Sequence, residues 1–124
     1  MFFTYSKDSI NLPGMQFAAQ RFVVVSPRCE WTWKSTPSGW VVELIDAFRA
    51  LDWIDYSRIY LTGCSMGGMG TWEIAARAPE LFAAVVPVVA HHKEQNRSWV
   101  AERLQGKHIH AVHSTMDGVC PIQK

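Results

Sequence analysis

The chain has 124 residues, of which 48% are hydrophobic and 19% charged, which suits one globular domain with a core and leaves no room for several. Its formal net charge is +1, and its twelve lysines and arginines are scattered, so nothing predicts nucleic acid as a partner. No apolar run approaches the ~20 residues of a membrane span. We expect a single domain over residues 1–124 that binds no membrane.

The first half of the chain predicts a strand and then a helix. Residues 22–26 (FVVVS) form a continuous apolar run, typical of a strand buried on both faces of a parallel sheet. Thr36 and Pro37 are typical of a helix start. The apolar residues that follow recur at the i, i+3, i+4, i+7 spacing of one helical face, namely Val41, Leu44, Ile45, Phe48 and Leu51.

The second half alternates in the same way. A strand is predicted at 59–62, a helix at 67–78 that stops before Pro79, and a strand at 82–89. A short helix at 99–104, ended by Gly106, precedes a last strand at 108–113. Alternating strands and helices predict an α/β fold with a mostly parallel sheet of about four strands, flanked by helices.

The most informative motif lies where the second predicted strand meets its helix. Gly63, Ser65 and Gly67 give the pattern G-x-S-x-G, with a strand directly before the serine and a helix directly after it. Glycines on both sides suit the tightness of such a turn. This nucleophile elbow predicts Ser65 as a catalytic nucleophile, with the backbone N–H of Met66 helping to hold the oxyanion.

A candidate acid follows the last predicted strand. Asp117 lies four residues beyond His113, and side chains that act together in a parallel sheet gather where its strands end. A carboxylate past a strand that comes after the nucleophile strand fits the chain order serine, acid, histidine of α/β-hydrolases. We predict that Asp117 orients an imidazole and stabilises its charged form.

These residues resemble a known group of enzymes. Residues 58–77 (RIYLTGCSMGGMGTWEIAAR) and 81–87 (LFAAVVP) are similar to α/β-hydrolases of the predicted peptidase and phospholipase/carboxylesterase-like type, relatives of dienelactone hydrolases and prolyl oligopeptidases. The resemblance extends back to residue 22 and forward to residues 113–121 (HSTMDGVCP). It implies a serine hydrolase that cleaves a carboxylic ester or peptide bond in a small-molecule or peptide substrate, without cofactor or metal.

The chain departs from that family's pattern in three places. His113 occupies the structural histidine position that the resemblance implies before the acid, but Ser114 replaces the glycine of the family's His-Gly-x-x-Asp segment. Residues 1–20 contain no His-Gly loop to donate a second oxyanion N–H, and no histidine follows Asp117. We therefore expect an incomplete α/β-hydrolase domain, truncated at both ends, whose catalytic histidine is missing. His91 and His92 are candidates for a substitute base, against the alternative of a polar loop pair.

Several alternatives remain open from the sequence. The chain is either a hydrolase or a catalytically inactive hydrolase fold that serves as a binding or interaction module, with self-association through exposed sheet edges. A chain without stable fold is a third alternative. Three cysteines without metal-ligand spacing favour reduced thiols and a cytoplasmic setting. Trp31 and Trp33 either wall a substrate pocket or cover the sheet edge, whereas Trp40, Trp53 and Trp72 are predicted in the core.

Overall fold

The computed structural model describes residues 13–27, 29, 33, 39–90 and 97–122. Single 3₁₀ turns lie at Tyr56–Arg58 and Pro79–Leu81. The helices and strands of the described residues follow in this order: α1 (Pro13–Ala19), α2 (Gly39–Phe48), β1 (Tyr60–Cys64), α3 (Met66–Arg77), β2 (Ala84–Val88), α4 (Arg97–Arg103) and β3 (His108–Ile109).

The described strands form one parallel sheet in the order β1-β2-β3. The β1–β2 pairing aligns Cys64 with Val88, and the β2–β3 pairing aligns Val85 with Ile109. Beyond β3, Val112 forms a further parallel bridge to Val88. Because the three strands run in the same direction, the residues that follow each of them lie at one edge of the sheet.

The core lies where this sheet meets its helices. Val85 in β2 and Phe82 just before it are 0% and 1% exposed, and Leu61 in β1 is 2% exposed. Burying each such side chain contributes about 1.5–3 kcal/mol, which is what holds the sheet to the helices. The same cluster includes Ile45 from α2 and Val100 from α4. The predicted α/β class and parallel sheet are thus confirmed.

Two side chains connect α4 and β3 to the rest of the fold. The guanidinium Nε of Arg103 donates to the carbonyl of Ala76 at 3.0 Å, next to the C-terminus of α3. The ammonium of Lys107 donates to the carbonyl of Phe82 at 3.2 Å. A cation at a helix C-terminus is favourable because the last carbonyls carry partial negative charge and lack helical donors.

The prediction for the first strand is wrong. Residues 22–26 form no strand, and within them only Val24 takes part in an isolated bridge, so the described sheet has three strands where about four were predicted. The run packs through side chains instead: the ring of Phe22 meets that of Tyr60 edge-to-face, with centroids 5.8 Å apart. Trp53 also differs from its predicted core position, because it lies in the turn after α2 and is 64% exposed.

Candidate active site

Ser65 occupies the turn in which β1 becomes α3. Its backbone has φ 53° and ψ −115°, a conformation that residues other than glycine rarely adopt. Its N–H donates to the carbonyl of Val88 at 2.9 Å, and its own carbonyl accepts from the N–H of Met69 at 2.9 Å. One residue therefore carries both the last bond of the sheet and the first bond of the helix. Holding it there costs roughly 1–3 kcal/mol.

The glycines around Ser65 are required by close backbone approach. A Cβ on Gly63 would lie 2.4 Å from the carbonyl oxygen of Gly67, and a Cβ on Gly68 would lie 2.6 Å from that of Val88. Both distances are well inside van der Waals contact, and the opposing atoms belong to the backbone and cannot rotate away. The turn closes this tightly only without side chains at these two positions.

The elbow presents polar groups to solvent. Ser65 and Cys64 are exposed, and Met66, the first residue of α3, is half-buried. The first N–H groups of a helix have no intrahelical acceptor, and the helix dipole adds positive potential at that end. The N–H of Met66 therefore lies at the positively polarised start of α3, directly after Ser65 in the chain.

Asp117 is held by its own loop, residues 114–120, which we call the acid loop. Its Oδ1 accepts from the backbone N–H groups of Cys120 at 2.8 Å and Val119 at 2.9 Å. These two hydrogen bonds, that of Cys120 first, hold the pKa of the Asp117 carboxyl below its usual value, with a smaller contribution from the charge of His113. Asp117 is therefore an anion at neutral pH.

His113 contacts the acid loop from the end of the β3 region. Its Nε2 lies 2.5 Å from the carbonyl oxygen of Cys120 and 3.8 Å from Oδ2 of Asp117. His108 and His110 are exposed. The two histidines considered as substitute bases, His91 and His92, lie outside the described residues.

Backbone hydrogen bonds connect the elbow to the acid loop across β2. Val88 accepts from Ser65, and the next residue, Val89, donates to the carbonyl of Val112 at 2.7 Å. Val89 has φ 47°, which is strained for a β-branched residue. It is the second residue with a strained backbone at this edge of the sheet, after Ser65. The structure thus brings Ser65 and Asp117 to the same edge, with β2 between their strands. Adjacent strands are about 4.8 Å apart, so roughly 10 Å separates the axes of β1 and β3.

Residues 29–102, more than half of the chain, match the prolyl oligopeptidase family. The chain belongs to that family. The match includes the elbow and ends before the acid loop.

Two further relatives of this member of the prolyl oligopeptidase family are esterases by name. A bifunctional acetylxylan esterase/xylanase from Neocallimastix patriciarum is 36% identical over 75 residues, which cover 56% of this chain and 11% of the relative. The crystal structure of a thermostable esterase superposes with a TM-score of 0.73 at 26% identity, covering 97% of this chain and 39% of that one. The chain therefore spans well under half the length of either relative.

Of the two tryptophans predicted near the site, Trp33 lies in the described part of the chain, and it has a packing role. Trp33 is buried against Gly70 of α3, whose Cβ, if present, would lie 2.5 Å from the Cβ of Trp33. It stacks on Trp40 with ring centroids 5.5 Å apart. Both indole N–H groups are buried without a partner among the described residues. Trp33 thus fixes α2 against α3; Trp31 lies outside the described residues.

A groove beside β3 was not predicted from the sequence. It has a volume of about 530 Å³ and is mainly apolar; its lining includes Trp72, Val100, Leu104, Ile109 and Ile122. These residues come from α3, from α4 and the residue that follows it, from β3 and from the end of the described chain, so no local pattern marks them. Within the described ranges, no helix is long and apolar enough to cross a membrane. The same ranges contain no group of three histidine, cysteine or acidic residues that could hold a metal ion.

Proposed function

We propose that this chain carries the nucleophile and the acid of a serine hydrolase that cleaves carboxylic esters. The proposal rests on the backbone of Ser65, which has φ 53°. Its N–H forms a hydrogen bond of the sheet and its carbonyl accepts a hydrogen bond of the helix. That geometry turns the hydroxyl outward at the end of a strand, as a nucleophile elbow requires. The names of the two relatives favour an ester over a peptide bond as the substrate.

In this scheme the Ser65 hydroxyl attacks the ester carbonyl while a base takes its proton. The carbonyl oxygen becomes an oxyanion and accepts a hydrogen bond from the N–H of Met66. The ester C–O bond then breaks: the protonated base gives its proton to the leaving alcohol, and the acyl group stays on Ser65. Water then hydrolyses this acyl-enzyme and regenerates the Ser65 hydroxyl. Asp117 would accept the hydrogen bond of the base through Oδ2, because its Oδ1 already accepts two backbone N–H groups. An imidazole between the two strand ends would donate its Nδ1–H to that oxygen.

The base is the missing component of this scheme. No histidine follows Asp117 in the chain, and the ring of His113 is hydrogen-bonded within the acid loop. In subtilisin, loss of the histidine lowers turnover on the order of a millionfold. We expect these 124 residues by themselves to hydrolyse esters at a rate close to background, unless His91 or His92 serves as the base.

A fluorophosphonate probe tests the nucleophile, and added imidazole tests the missing base. The probe should label the folded protein at Ser65, as mapped by peptide mass spectrometry, and labelling should accelerate as imidazole is added. Ser65→Ala should show no labelling with or without imidazole. Asp117→Asn should label but gain less from imidazole, because the imidazolium loses its counter-charge. Folded wild-type protein that remains unlabelled in imidazole would refute the proposal.

The substitute-base alternative has its own test. If His91 or His92 removes the proton from Ser65, one of His91→Ala and His92→Ala should abolish the labelling seen without imidazole, and added imidazole should restore it. Equal labelling rates in wild type and both variants would exclude the two residues as the base.

A binding module is the second candidate function. It is favoured by the outer edge of the described sheet, where residues 108–112 are all exposed and include Ile109 and Val112 at 39% and 43%. An apolar edge strand without lysine or proline is free to pair with another chain. Size-exclusion chromatography over a range of concentrations separates the two candidates. A catalytically silent chain that elutes as a dimer, and as a monomer when Ile109 is replaced by lysine, would support the module.

A further inference from the structure

The acid loop is closed by a side chain that the catalytic scheme does not use. Nε2 of His113 lies 2.5 Å from the carbonyl oxygen of Cys120, at the far end of the loop. We propose that His113 is a positioning residue, which fixes the acid loop so that Oδ2 of Asp117 stays open to a base. The role of Asp117 in this inference rests on the proposed function; the coupling between His113 and the loop does not.

The coupling runs through one peptide segment. A carbonyl oxygen only accepts, so the Nε2 of His113 must carry a hydrogen and donate it to Cys120. The N–H of the same Cys120 donates to Oδ1 of Asp117 at 2.8 Å, and that of Val119 donates to the same oxygen at 2.9 Å. Oδ2 lies 3.8 Å from His113 Nε2, beyond hydrogen-bond distance. His113 thus orients Cys120, and Cys120 orients the carboxylate.

Packing alone does not fix this loop. Met116 and Val119 are 91% and 95% exposed, and Gly118 has open space around its Cα. Cys120 is the buried end of the loop, at 4% exposure, and the side chain of His113 is 14% exposed. The order of the exposed part therefore depends on hydrogen bonds, and among the described residues the bond from His113 joins the residue before the acid loop to the last residue of the loop.

The experiment compares His113→Phe with His113→Gln, whose amide N–H can replace the Nε2–H donor. His110→Phe is the matched control, because His110 is an exposed histidine three residues earlier. In His113→Phe, amide hydrogen exchange at Val119 and Cys120 should accelerate about tenfold, as for one lost hydrogen bond. The pKa of Asp117, followed by the NMR shift of its carboxyl carbon, should rise toward its ordinary value. His113→Gln should retain wild-type behaviour, as should His110→Phe.

Two results would overturn the inference. Unchanged amide exchange in folded His113→Phe would show that the histidine does not hold the loop. If His113→Phe fails to fold, the nitrogen NMR shifts of wild-type His113 decide instead, because a proton on Nδ1 and none on Nε2 is incompatible with donation to Cys120. Neither result depends on catalysis. Absent probe labelling at Ser65 would reject the proposed function and leave this coupling intact.

Discussion

Because the backbone of Ser65 is strained, we predict that glycine is more stable than alanine at this position, the reverse of the usual order in a helix. At φ 53° and ψ −115°, a residue with a Cβ is strained by roughly 1–3 kcal/mol, and Ser65→Gly removes that strain. Glycine also makes the unfolded chain more flexible, which costs about 0.4–1 kcal/mol. The side chain of Ser65 forms no capping hydrogen bond to α3, so none is lost. We expect Ser65→Gly to be more stable than Ser65→Ala by about 1 kcal/mol.

Urea unfolding measures this difference. With a slope of about 1–3 kcal/mol per molar urea, the midpoint of Ser65→Gly should exceed that of Ser65→Ala by roughly 0.5 M. Ser98, exposed in α4, is the matched control, and there the order should reverse, because alanine is favoured over glycine in a helix by about 1 kcal/mol. An alanine variant at 65 as stable as the glycine variant would refute the argument that this backbone is strained.

Three further outcomes are expected. Gly63→Ala should lower the free energy of unfolding by about 3 kcal/mol, because its Cβ would lie 2.4 Å from the backbone of Gly67. Gly39→Ala should not destabilise the fold, because a Cβ at Gly39 would meet no atom within 4 Å. Equal urea midpoints for the two variants would contradict this. Val85→Ala should cost about 2–3 kcal/mol and Val119→Ala less than 0.5 kcal/mol in the same assay, since they are 0% and 95% exposed. Because the folded-state pKa of Asp117 is depressed below 3.8, its ionisation stabilises the fold above that pH and the effect is lost as pH falls through the folded pKa. The midpoint difference between wild type and Asp117→Asn should therefore shrink from pH 6 to pH 2, and a constant difference would contradict the assignment.

Local patterns predicted the elements of the fold that have their own periodicity. The buried face of α2 is formed by Val41 and Ile45, as its spacing indicated, but the helix ends at Phe48, before the predicted Leu51. The predicted start at Thr36 and Pro37 lies outside the described residues. The boundaries of α3 differ from the prediction by one residue. The strand predicted at 22–26 did not form, because a strand needs backbone pairing over several consecutive residues and an apolar run does not reveal that pairing; the structure assigns a bridge at Val24 and no strand to these residues. Helix α1 was not predicted at all.

The residues of the candidate site could be predicted from the sequence, but the hydrogen bonds between them could not. G-x-S-x-G identified Ser65 because the tight turn restricts residue types around it. That Ser65 and Asp117 share one edge followed from the parallel order of the strands. The resemblance implied a structural position for His113, but not its hydrogen bond to Cys120, because a histidine seven residues from a backbone carbonyl has no recognisable pattern.

The exposed thiol of Cys64 has a practical consequence for any study of this protein. It immediately precedes Ser65, whereas Cys29 is half-buried and Cys120 buried. Alkylating reagents would therefore modify Cys64 first and obstruct the neighbouring hydroxyl without reacting with it. Loss of fluorophosphonate labelling after iodoacetamide or maleimide treatment would then resemble the signature of a thiol enzyme. Parallel assays with Cys64→Ala would separate obstruction from chemistry.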